Sequence, residues 1–452
     1  MILQALTKKM IDNLLQDLVK LEGVASIDND ASNNCRSLIT ITIPNSVKNI
    51  SENAFNNCRL LKSITIPDGI TSIGNRTFYY CRSLTEITIP NSVIKIGIHA
   101  FTDCISLSAV KLSNHNTCID KYAFYYCTSL MSITIPNDVA TETNVATPHN
   151  SIIIDNYAFS HCTSLETITI PNNVTSIGNC AFYNCCSLKT ITIPNNVTSI
   201  GNCAFYNCCS LTEITMPNNV TSIGKSAFLK CRLLATITIP NNVTSIGNCA
   251  FSYCTSLKTI TIPQEVKSID NYAFSYCTSL ETITIPQKVK SIGEYAFFNC
   301  SSLTEITIPN NVTSICNFVF ENCISLRTIT IPNNVTNIGN YAFKNCKSLT
   351  NITILNSVSI GMFVINVNVL SIGNYAFQGC SELADVNMPN VQYIGNYAFQ
   401  GCSELTEVNI PNVQYIGNYA FQGCSELTKV NITNVQSISN YAFQGVSLIQ
   451  NK

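Results

Sequence analysis

One sequence pattern recurs along almost the whole chain and limits the possible folds more than any other feature. The segment that begins at Cys277 reads CTSLETITIPQKVKSIGEYAFFN. Its first position holds seventeen of the 24 cysteines: Cys35, Cys58, Cys81, Cys104, Cys127, Cys162, Cys185, Cys208, Cys231, Cys254, Cys277, Cys300, Cys323, Cys346, Cys380, Cys402 and Cys424. Most neighbours in this series are 23 residues apart, and the last two intervals are 22 residues. Such a period predicts a solenoid, in which each coil buries its apolar face only against its neighbours.

Each coil begins with the pattern of a short strand. In the coil that starts at Cys254, Ile260 and Ile262 flank Thr261, and this alternation is typical of a strand with one buried face. β-Branched residues suit a pleated surface. Pro263 is predicted to end the strand, because proline has no amide hydrogen to donate.

The second half of each coil predicts a shorter strand and a turn. Val266 and Ile269 form a second apolar pair. In most coils a glycine such as Gly178 follows, which predicts a turn residue with positive φ. An Ala-Phe pair such as Ala273-Phe274 is then expected in a single helical or 3₁₀ turn before the next cysteine.

Phenylalanine and cysteine form two columns that are predicted to lie in the core. Seventeen of the 20 phenylalanines occupy one position of the repeat, and stacked rings would bury a large apolar area. The column cysteines are predicted to be buried free thiols that act as small apolar side chains. Disulfides between coils are the alternative, but a column with identical partners on both sides defines no pairing. Binding of a soft metal ion by the pairs Cys185-Cys186 and Cys208-Cys209 is a remote alternative.

The complete pattern resembles a known repeat family. L-x-x-I-x-I-P followed by V-x-x-I-G-x-x-A-F-x-x-C is similar to the BspA-type leucine-rich repeat, over about Ala31 to Ile449. The resemblance implies an α/β solenoid that is curved, with one parallel β-sheet on its concave face and short strands and helical turns on the other side. It also implies a non-enzymatic role in adhesion or protein binding, typically at the surface of host-associated microbes.

The chain is predicted to have two parts. Residues 1–23 are expected to form an amphipathic helical cap, because apolar residues recur there at helical spacing and a solenoid end needs covering. A helix that docks on a partner is the alternative. Residues 24–452 are predicted to form about 17 coils. The C-terminal coil has no visible polar cap, so end-to-end self-association is expected to be possible there.

Two insertions, 140–153 and 359–371, interrupt the period at the same place in the coil. Insertions at one register leave the same face of a solenoid, which is often the binding face. Tolerated surface bulges are the alternative interpretation.

The outward positions of the predicted sheet are rich in threonine. Residues five and seven positions after each column cysteine are expected to point away from the core. Ten of them form the candidate partner-binding surface: Thr190, Thr192, Glu213, Thr236, Thr238, Thr259, Thr261, Thr282, Thr284 and Glu305. Threonine that only completes an exposed strand is one alternative. The rows of Thr-x-Thr also look like those of ice-binding solenoids, a remote alternative because such arrays need a flatness that curved repeats lack.

Charge and motifs argue against several classes of function. Charged residues make up 11% of the chain and the net charge is −1, whereas a nucleic-acid binder needs a basic stripe. No apolar stretch approaches the ~20 residues of a membrane span. The four histidines lack metal-ligand spacing with cysteines, and no nucleotide-binding or nucleophile motif is present. We therefore expect no catalytic residues, no cofactor and no metal.

The leading prediction is a non-enzymatic scaffold that binds a protein or glycan partner through its concave Thr-rich face. A structural, self-assembling solenoid is the alternative. Lys8 and Lys9 interrupt the N-terminal apolar run, so no signal peptide is recognised. This observation and the predicted free thiols favour the cytoplasm, with the cell surface, as in the resembled family, as the alternative.

Overall fold

The computed structural model describes residues 4–6, 24–112, 117–135, 152–354 and 369–446. The chain divides into two units, Met1–Leu233 and Leu234–Lys452. Both units are stacks of the same coil, with the parallel strands of a leucine-rich repeat solenoid. Each regular coil has a first strand after the repeat leucine and a second strand before the repeat glycine.

Most of the first strands pair in parallel and in register with the first strand of a neighbouring coil. In the first unit they are Thr40–Thr42, Ser63–Thr65, Glu86–Ile89, Ala109–Leu112, Ser132–Thr134, Thr167–Thr169, Thr190–Thr192 and Glu213–Thr215. In the second unit they are Thr259–Thr261, Thr282–Thr284, Glu305–Thr307, Thr328–Ile331, Asn351–Ile354, Asp385–Asn387, Glu407–Asn409 and Lys429–Asn431. Ile191 lies opposite Ile214, and Ile260 lies opposite Ile283. Each position of the repeat therefore becomes a column.

The second strands form a further row of parallel pairs. In the first unit they are Val24–Ile27, Asn49–Ile50, Ser72–Ile73, Lys95–Ile96, Cys118–Ile119, Ile152–Ile154, Val174–Ile177, Ser199–Ile200 and Ser222–Ile223. In the second unit they are Ser245–Ile246, Ser268–Ile269, Ser291–Ile292, Ser314–Ile315, Asn337–Ile338, Ser371–Ile372, Tyr393–Ile394, Tyr415–Ile416 and Ser437–Ile438. The predicted short strands are thus hydrogen-bonded partners of one another and not isolated segments.

The predicted α/β class and its helical turns are wrong, because the described residues contain no α-helix and no 3₁₀-helix. The segment from Tyr157 to Cys162 shows the reason. Its amides alternate between two kinds of acceptor, because Ala158 bonds to a carbonyl three residues earlier while Phe159 bonds to Ala181 of the next coil. Tyr157 and His161 have φ of 59° and 64°, a left-handed conformation that a right-handed helix cannot contain. The segment is a chain of β-turns that is hydrogen-bonded to its copies.

The predicted positive φ at the repeat glycine is also wrong. Gly201 is not left-handed; a Cβ built on it would lie 2.6 Å from the carbonyl carbon of Gly178. Glycine is needed at this position because two coils approach closely there, and not because the backbone has a positive φ. The left-handed positions lie elsewhere in the coil, at the residue before the Ala-Phe pair and at the residue before the column cysteine.

The core of each coil consists of the predicted apolar columns. In one coil, Leu188, Ile191, Val197, Phe205 and Cys208 are all buried. The phenylalanine rings stack from coil to coil, with centroids 5.1–5.6 Å apart over the described contacts. The predicted phenylalanine spine is therefore confirmed in both units.

The N-terminal prediction of a helix is wrong at Gln4–Leu6, which form a strand parallel to Val24–Ile27. Residues 1–3 and 7–23, which carry the rest of the predicted cap, lie outside the described residues. Most of the two predicted insertions also lies outside them. Ile152 and Ile153, at the end of the first insertion, belong to a second strand, as does Ser371 of the second. The described part of the chain has no helix that is long and apolar enough to cross a membrane.

Candidate functional site

Eight of the ten candidate residues lie on the outer surface of the first strands. Along each strand an exposed residue alternates with a buried one, because successive side chains of a strand point to opposite faces. Thr190 and Thr192 are exposed while Ile191 between them is buried. The same holds for Thr282 and Thr284 around Ile283. We call this outer surface of the first strands the Thr face.

In the first unit, the Thr face brings Thr190, Thr192 and Glu213 together. Thr190 is the register partner of Glu213, and Thr192 is the partner of Thr215. Parallel partners of this kind lie about 4.8 Å apart. One carboxylate therefore stands beside a row of hydroxyl groups.

In the second unit, the Thr face is wider. Thr259 pairs with Thr282, and Thr261 pairs with Thr284. The next coil places Glu305 opposite Thr282. These side chains form two outward columns on neighbouring strands.

Thr236 and Thr238 belong to a less regular coil of the second unit. Both side chains are exposed, but neither residue lies in a strand. Thr236 forms an isolated parallel bridge with Thr259. The structure therefore places all ten predicted residues at the surface, and eight of them on regular strands.

The threonine hydroxyls of the Thr face have no hydrogen-bond partner within the described part of the chain. A neighbouring column behaves differently. The Thr212 hydroxyl donates to the carbonyl oxygen of Lys189 at 3.2 Å, and Lys189 pairs with Glu166 at 2.7 Å. The threonines of the Thr face thus keep their hydroxyl groups free, whereas the adjacent column uses its own within the protein.

The described residues contain no cluster of three or more histidine, cysteine, aspartate or glutamate side chains that could hold a metal ion. Two of the histidines take part in aromatic stacks. The ring of His99 stacks on Tyr122 with centroids 4.7 Å apart, and His161 stacks on Tyr126 at 4.3 Å. Burial lowers the pKa of both imidazoles.

A polar groove of about 400 Å³ in the second unit was missed by the sequence reasoning. It is lined by Leu370, Asn390, Gln392, Asn412, Gln414, Asn434 and Gln436. Asn434 Nδ2 donates to Asn412 Oδ1 at 3.0 Å, and Asn412 Nδ2 donates to the carbonyl oxygen of Pro389 at 2.9 Å. The 22-residue spacing is the signal that could have located the groove. These coils read Pro-Asn-Val or Thr-Asn-Val between their strands, one residue fewer than longer coils such as those that read Pro-Asn-Asn-Val.

The repeat of strands, turns and buried columns matches a sequence family. The family model for the BspA type leucine rich repeat region matches residues 25–145, 140–258, 244–362 and 355–451. The chain belongs to this family. BspA-type repeats are leucine-rich repeats, a scaffold generally used for protein–protein interaction, in which stacked repeats build an extended surface.

Several solved structures are similar to this BspA-type chain. A leucine-rich repeat protein from Bacteroides ovatus is 26% identical, covers 93% of this chain and 80% of its own, and has a TM-score of 0.49. A leucine-rich repeat protein from T. pallidum is 30% identical over 38% of this chain and 78% of its own, with a TM-score of 0.35. A leucine-rich cell surface protein from Faecalibacterium prausnitzii is 24% identical over 93% and 84%, with a TM-score of 0.31. No curated protein matches the chain significantly.

The BspA-type cysteine column is a hydrogen-bonded ladder of buried thiols. All 24 cysteines are free in the structure. Burial is the main cause that raises the pKa of Cys58 and of Cys277 to about 12. At neutral pH these groups are therefore protonated thiols that can donate a hydrogen bond, and not the thiolates that attack a substrate or bind a metal. The prediction that this column belongs to the core is confirmed for all its members except Cys35, which is half-buried.

Proposed function

We propose that this protein is a non-enzymatic binding scaffold that holds a protein partner on its Thr face. The observation that carries the proposal is the row of exposed, unpartnered hydroxyls held in register by paired strands. Binding groups gain affinity when they are ordered before the partner arrives, because less conformational entropy is then lost. Threonine is β-branched and restricted at χ1, so a strand of threonines is ordered in this sense.

The dimensions of the Thr face favour a macromolecule. In the second unit five first strands pair side by side, from Thr259–Thr261 to Asn351–Ile354. Four intervals of about 4.8 Å make this surface about 19 Å wide. This row is wider than a small ligand, and an interface of standard size, in which each partner buries about 800 Å², would extend from it onto neighbouring positions of the same coils.

The sparse charges on the Thr face favour orientation of the partner over strong electrostatic attraction. Glu213 in the first unit and Glu305 in the second are exposed carboxylates among neutral hydroxyls. Isolated charges of this kind fix the register of a partner and reject those with like charge. The net charge of −1 disfavours a nucleic acid, which would need phosphate-neutralising side chains. A glycan remains the alternative partner, since hydroxyl groups also bind sugars.

The experiment that tests the proposal compares two faces of the same coils. A photo-crosslinking amino acid at Thr284 is expected to capture a partner in cells, whereas the same group at Ser291, on a second strand, is not. The affinity of the captured partner for the double variant Thr259→Arg/Thr282→Arg is then measured by calorimetry. We expect a loss of at least tenfold, about 1.4 kcal/mol. The control Gln264→Arg/Ser291→Arg adds the same charges away from the Thr face and should bind as wild type.

Unchanged affinity of the double Thr variant would reject the Thr face as the binding surface. Loss of affinity in both double variants would show that added charge, and not position, weakens binding. A captured glycan would replace the protein partner with the alternative class.

The location of the protein is a separate proposal. We keep the cytoplasm as the predicted location and the cell surface as the alternative. Protease treatment of intact cells distinguishes the two, because only a surface-exposed chain is degraded before lysis. Degradation in intact cells would overturn the cytoplasmic prediction.

A further inference from the structure

Two cysteines outside the core column form an isolated pair in the first unit. Cys186 and Cys209 directly follow column cysteines in consecutive coils. Thr163 takes this position in the preceding coil, and Arg232 takes it in the following one. Each of the two thiols therefore has one cysteine neighbour in its column, and the pairing ambiguity of the core column does not arise.

The sulfur atoms of this pair share a hydrogen-bond acceptor. Cys186 Sγ and Cys209 Sγ each lie 3.5 Å from the carbonyl oxygen of Asn207. The Asn207 side chain also contacts both sulfurs: Oδ1 lies 3.1 Å from Cys209 Sγ, and Nδ2 lies 3.6 Å from Cys186 Sγ. Both sulfurs are thus held on the same side of one residue.

The backbone separation suits a disulfide. A few residues further along the chain, Thr190 and Glu213 are register partners on paired strands. Positions one coil apart lie about 4.8 Å from each other, within the 4.4–6.8 Å that a disulfide requires between Cα atoms.

Accessibility separates this pair from the neighbouring column cysteines. Cys186 and Cys209 are half-buried, whereas Cys185 and Cys208 are fully buried. The column thiols also point into the core, where Cys185 Sγ donates to the carbonyl oxygen of Phe159 at 3.1 Å. A small oxidant in solution can reach the outer pair without opening the coil, but it cannot reach the column.

We propose that Cys186 and Cys209 are a site of oxidative modification, at which a small-molecule disulfide such as oxidised glutathione converts the two thiols into an inter-coil disulfide. The thiolate of one cysteine attacks oxidised glutathione and forms a mixed disulfide, releasing one glutathione thiolate. The second cysteine attacks the protein sulfur of that mixed disulfide and releases the other glutathione. Two protein thiols are oxidised to one disulfide, and one oxidised glutathione is reduced to two glutathione thiols. The bond joins two consecutive coils of the first unit.

The experiment treats the full chain with oxidised glutathione, blocks the remaining thiols and maps the disulfides without reduction. Chymotrypsin cleaves after Tyr183 and Tyr206 and leaves two peptides that both read Asn-Cys-Cys-Ser-Leu. We expect these peptides to be joined. Because each contains a column cysteine, the variants Cys186→Ser and Cys209→Ser identify the sulfurs. Each variant should lose the joined peptide and should instead carry one glutathione on the remaining partner cysteine.

Three results would overturn the proposal. The first is a joined peptide that persists in Cys186→Ser, since the column cysteines would then form the bond. The second is a bond between Cys180 and Cys203, the cysteine pair one coil earlier, that forms in place of the expected one. The third is an unmodified Cys186 and Cys209 after prolonged oxidation of the wild type. As an independent readout, oxidation should raise the urea midpoint of the wild type and not that of Cys209→Ser.

Discussion

The thiol of Cys208 donates a hydrogen bond to the backbone carbonyl oxygen of Phe182 in the preceding coil, over 3.2 Å. The same carbonyl accepts the amide of Cys185 within its own coil, also at 3.2 Å. The contact recurs in both units, for example from Cys277 to Phe251. The cysteine of this repeat therefore connects coils through a directed bond, in addition to filling space.

Cys208→Ala tests this connection. The variant removes the thiol donor and leaves a small void, so we expect it to lower the free energy of unfolding by about 1–3 kcal/mol. Urea denaturation followed by circular dichroism measures the change. Cys316→Ala removes a half-buried thiol outside the column and should change stability by less than about 0.5 kcal/mol. If both variants lowered the free energy of unfolding equally, the buried thiol hydrogen bond would not stabilise the fold.

The buried thiols also predict a loss of stability in alkali. Burial raises the pKa of Cys277 to about 12, whereas an unfolded cysteine has an ordinary pKa near 9. Between these values the unfolded state has released a proton that the native state still binds, so the free energy of unfolding falls as pH rises. Each such thiol contributes a slope of about 1.4 kcal/mol per pH unit.

Urea denaturation at intervals between pH 8 and pH 11 measures that slope. The variant Cys277→Ser has no thiol to ionise at this position, so its slope should be shallower than that of the wild type by about 1.4 kcal/mol per unit above pH 9. Parallel curves for the two proteins would contradict the prediction.

The left-handed positions predict a graded response to substitution at Gly401. This glycine has φ of +74°, and a Cβ built on it would meet no atom closer than 4.0 Å. Backbone conformation and not space therefore decides what the position tolerates. Gly401→Asn should be nearly neutral, because Asn184 and Asn207 hold the equivalent place in longer coils with positive φ.

Gly401→Val should lower the free energy of unfolding by about 1–2 kcal/mol, since a β-branched residue fits the left-handed region poorly. Thermal denaturation of the two variants side by side makes the comparison. A valine variant as stable as the asparagine variant would show that the turn can change its conformation.

Substitution by alanine should have very different effects on stability at the exposed and buried faces of one strand. Thr282→Ala changes an exposed side chain without an internal partner and should shift the free energy of unfolding by no more than about 0.5 kcal/mol. Ile283→Ala removes a buried side chain one residue further on and should cost about 2–5 kcal/mol. Chemical denaturation of both variants checks the orientation of the strand. A large effect of Thr282→Ala would mean that the Thr face serves folding.

The columns could be predicted from the sequence because each coil repeats the same pattern of apolar and polar residues. The alternation around Thr261 was enough to separate buried Ile260 and Ile262 from the exposed threonine. A regular period also allowed the phenylalanine spine to be predicted without any knowledge of the turns.

The turns could not be predicted because their hydrogen bonds cross between coils. The amide of Phe159 donates to the carbonyl oxygen of Ala181 in the next coil. Helix and turn propensities depend only on nearby residues in the sequence, so they cannot reveal such a partner. Ala-Phe pairs favour a helix when they are considered alone, but the register of the stack imposes β-turns. Gly201 shows the same limit, since its neighbour Gly178 is close in space and distant in sequence.

The candidate site was predictable in position but not in extent. Exposure of Thr190 or Thr282 follows from strand alternation. The groove around Gln414 lies where the turn between two strands is one residue shorter. A reading that relies on the regular 23-residue period passes over this difference.

The 22-residue coils have one residue fewer between their first and second strands, yet Tyr393–Ile394 of the first such coil pairs in register with Ser371–Ile372 of the longer coil before it. Coil length can therefore vary at this turn while the second strands stay paired in register. This turn is therefore a position at which the length of a coil can be engineered. A residue can be removed there to reshape the surface, and the second strands on either side stay hydrogen-bonded in register.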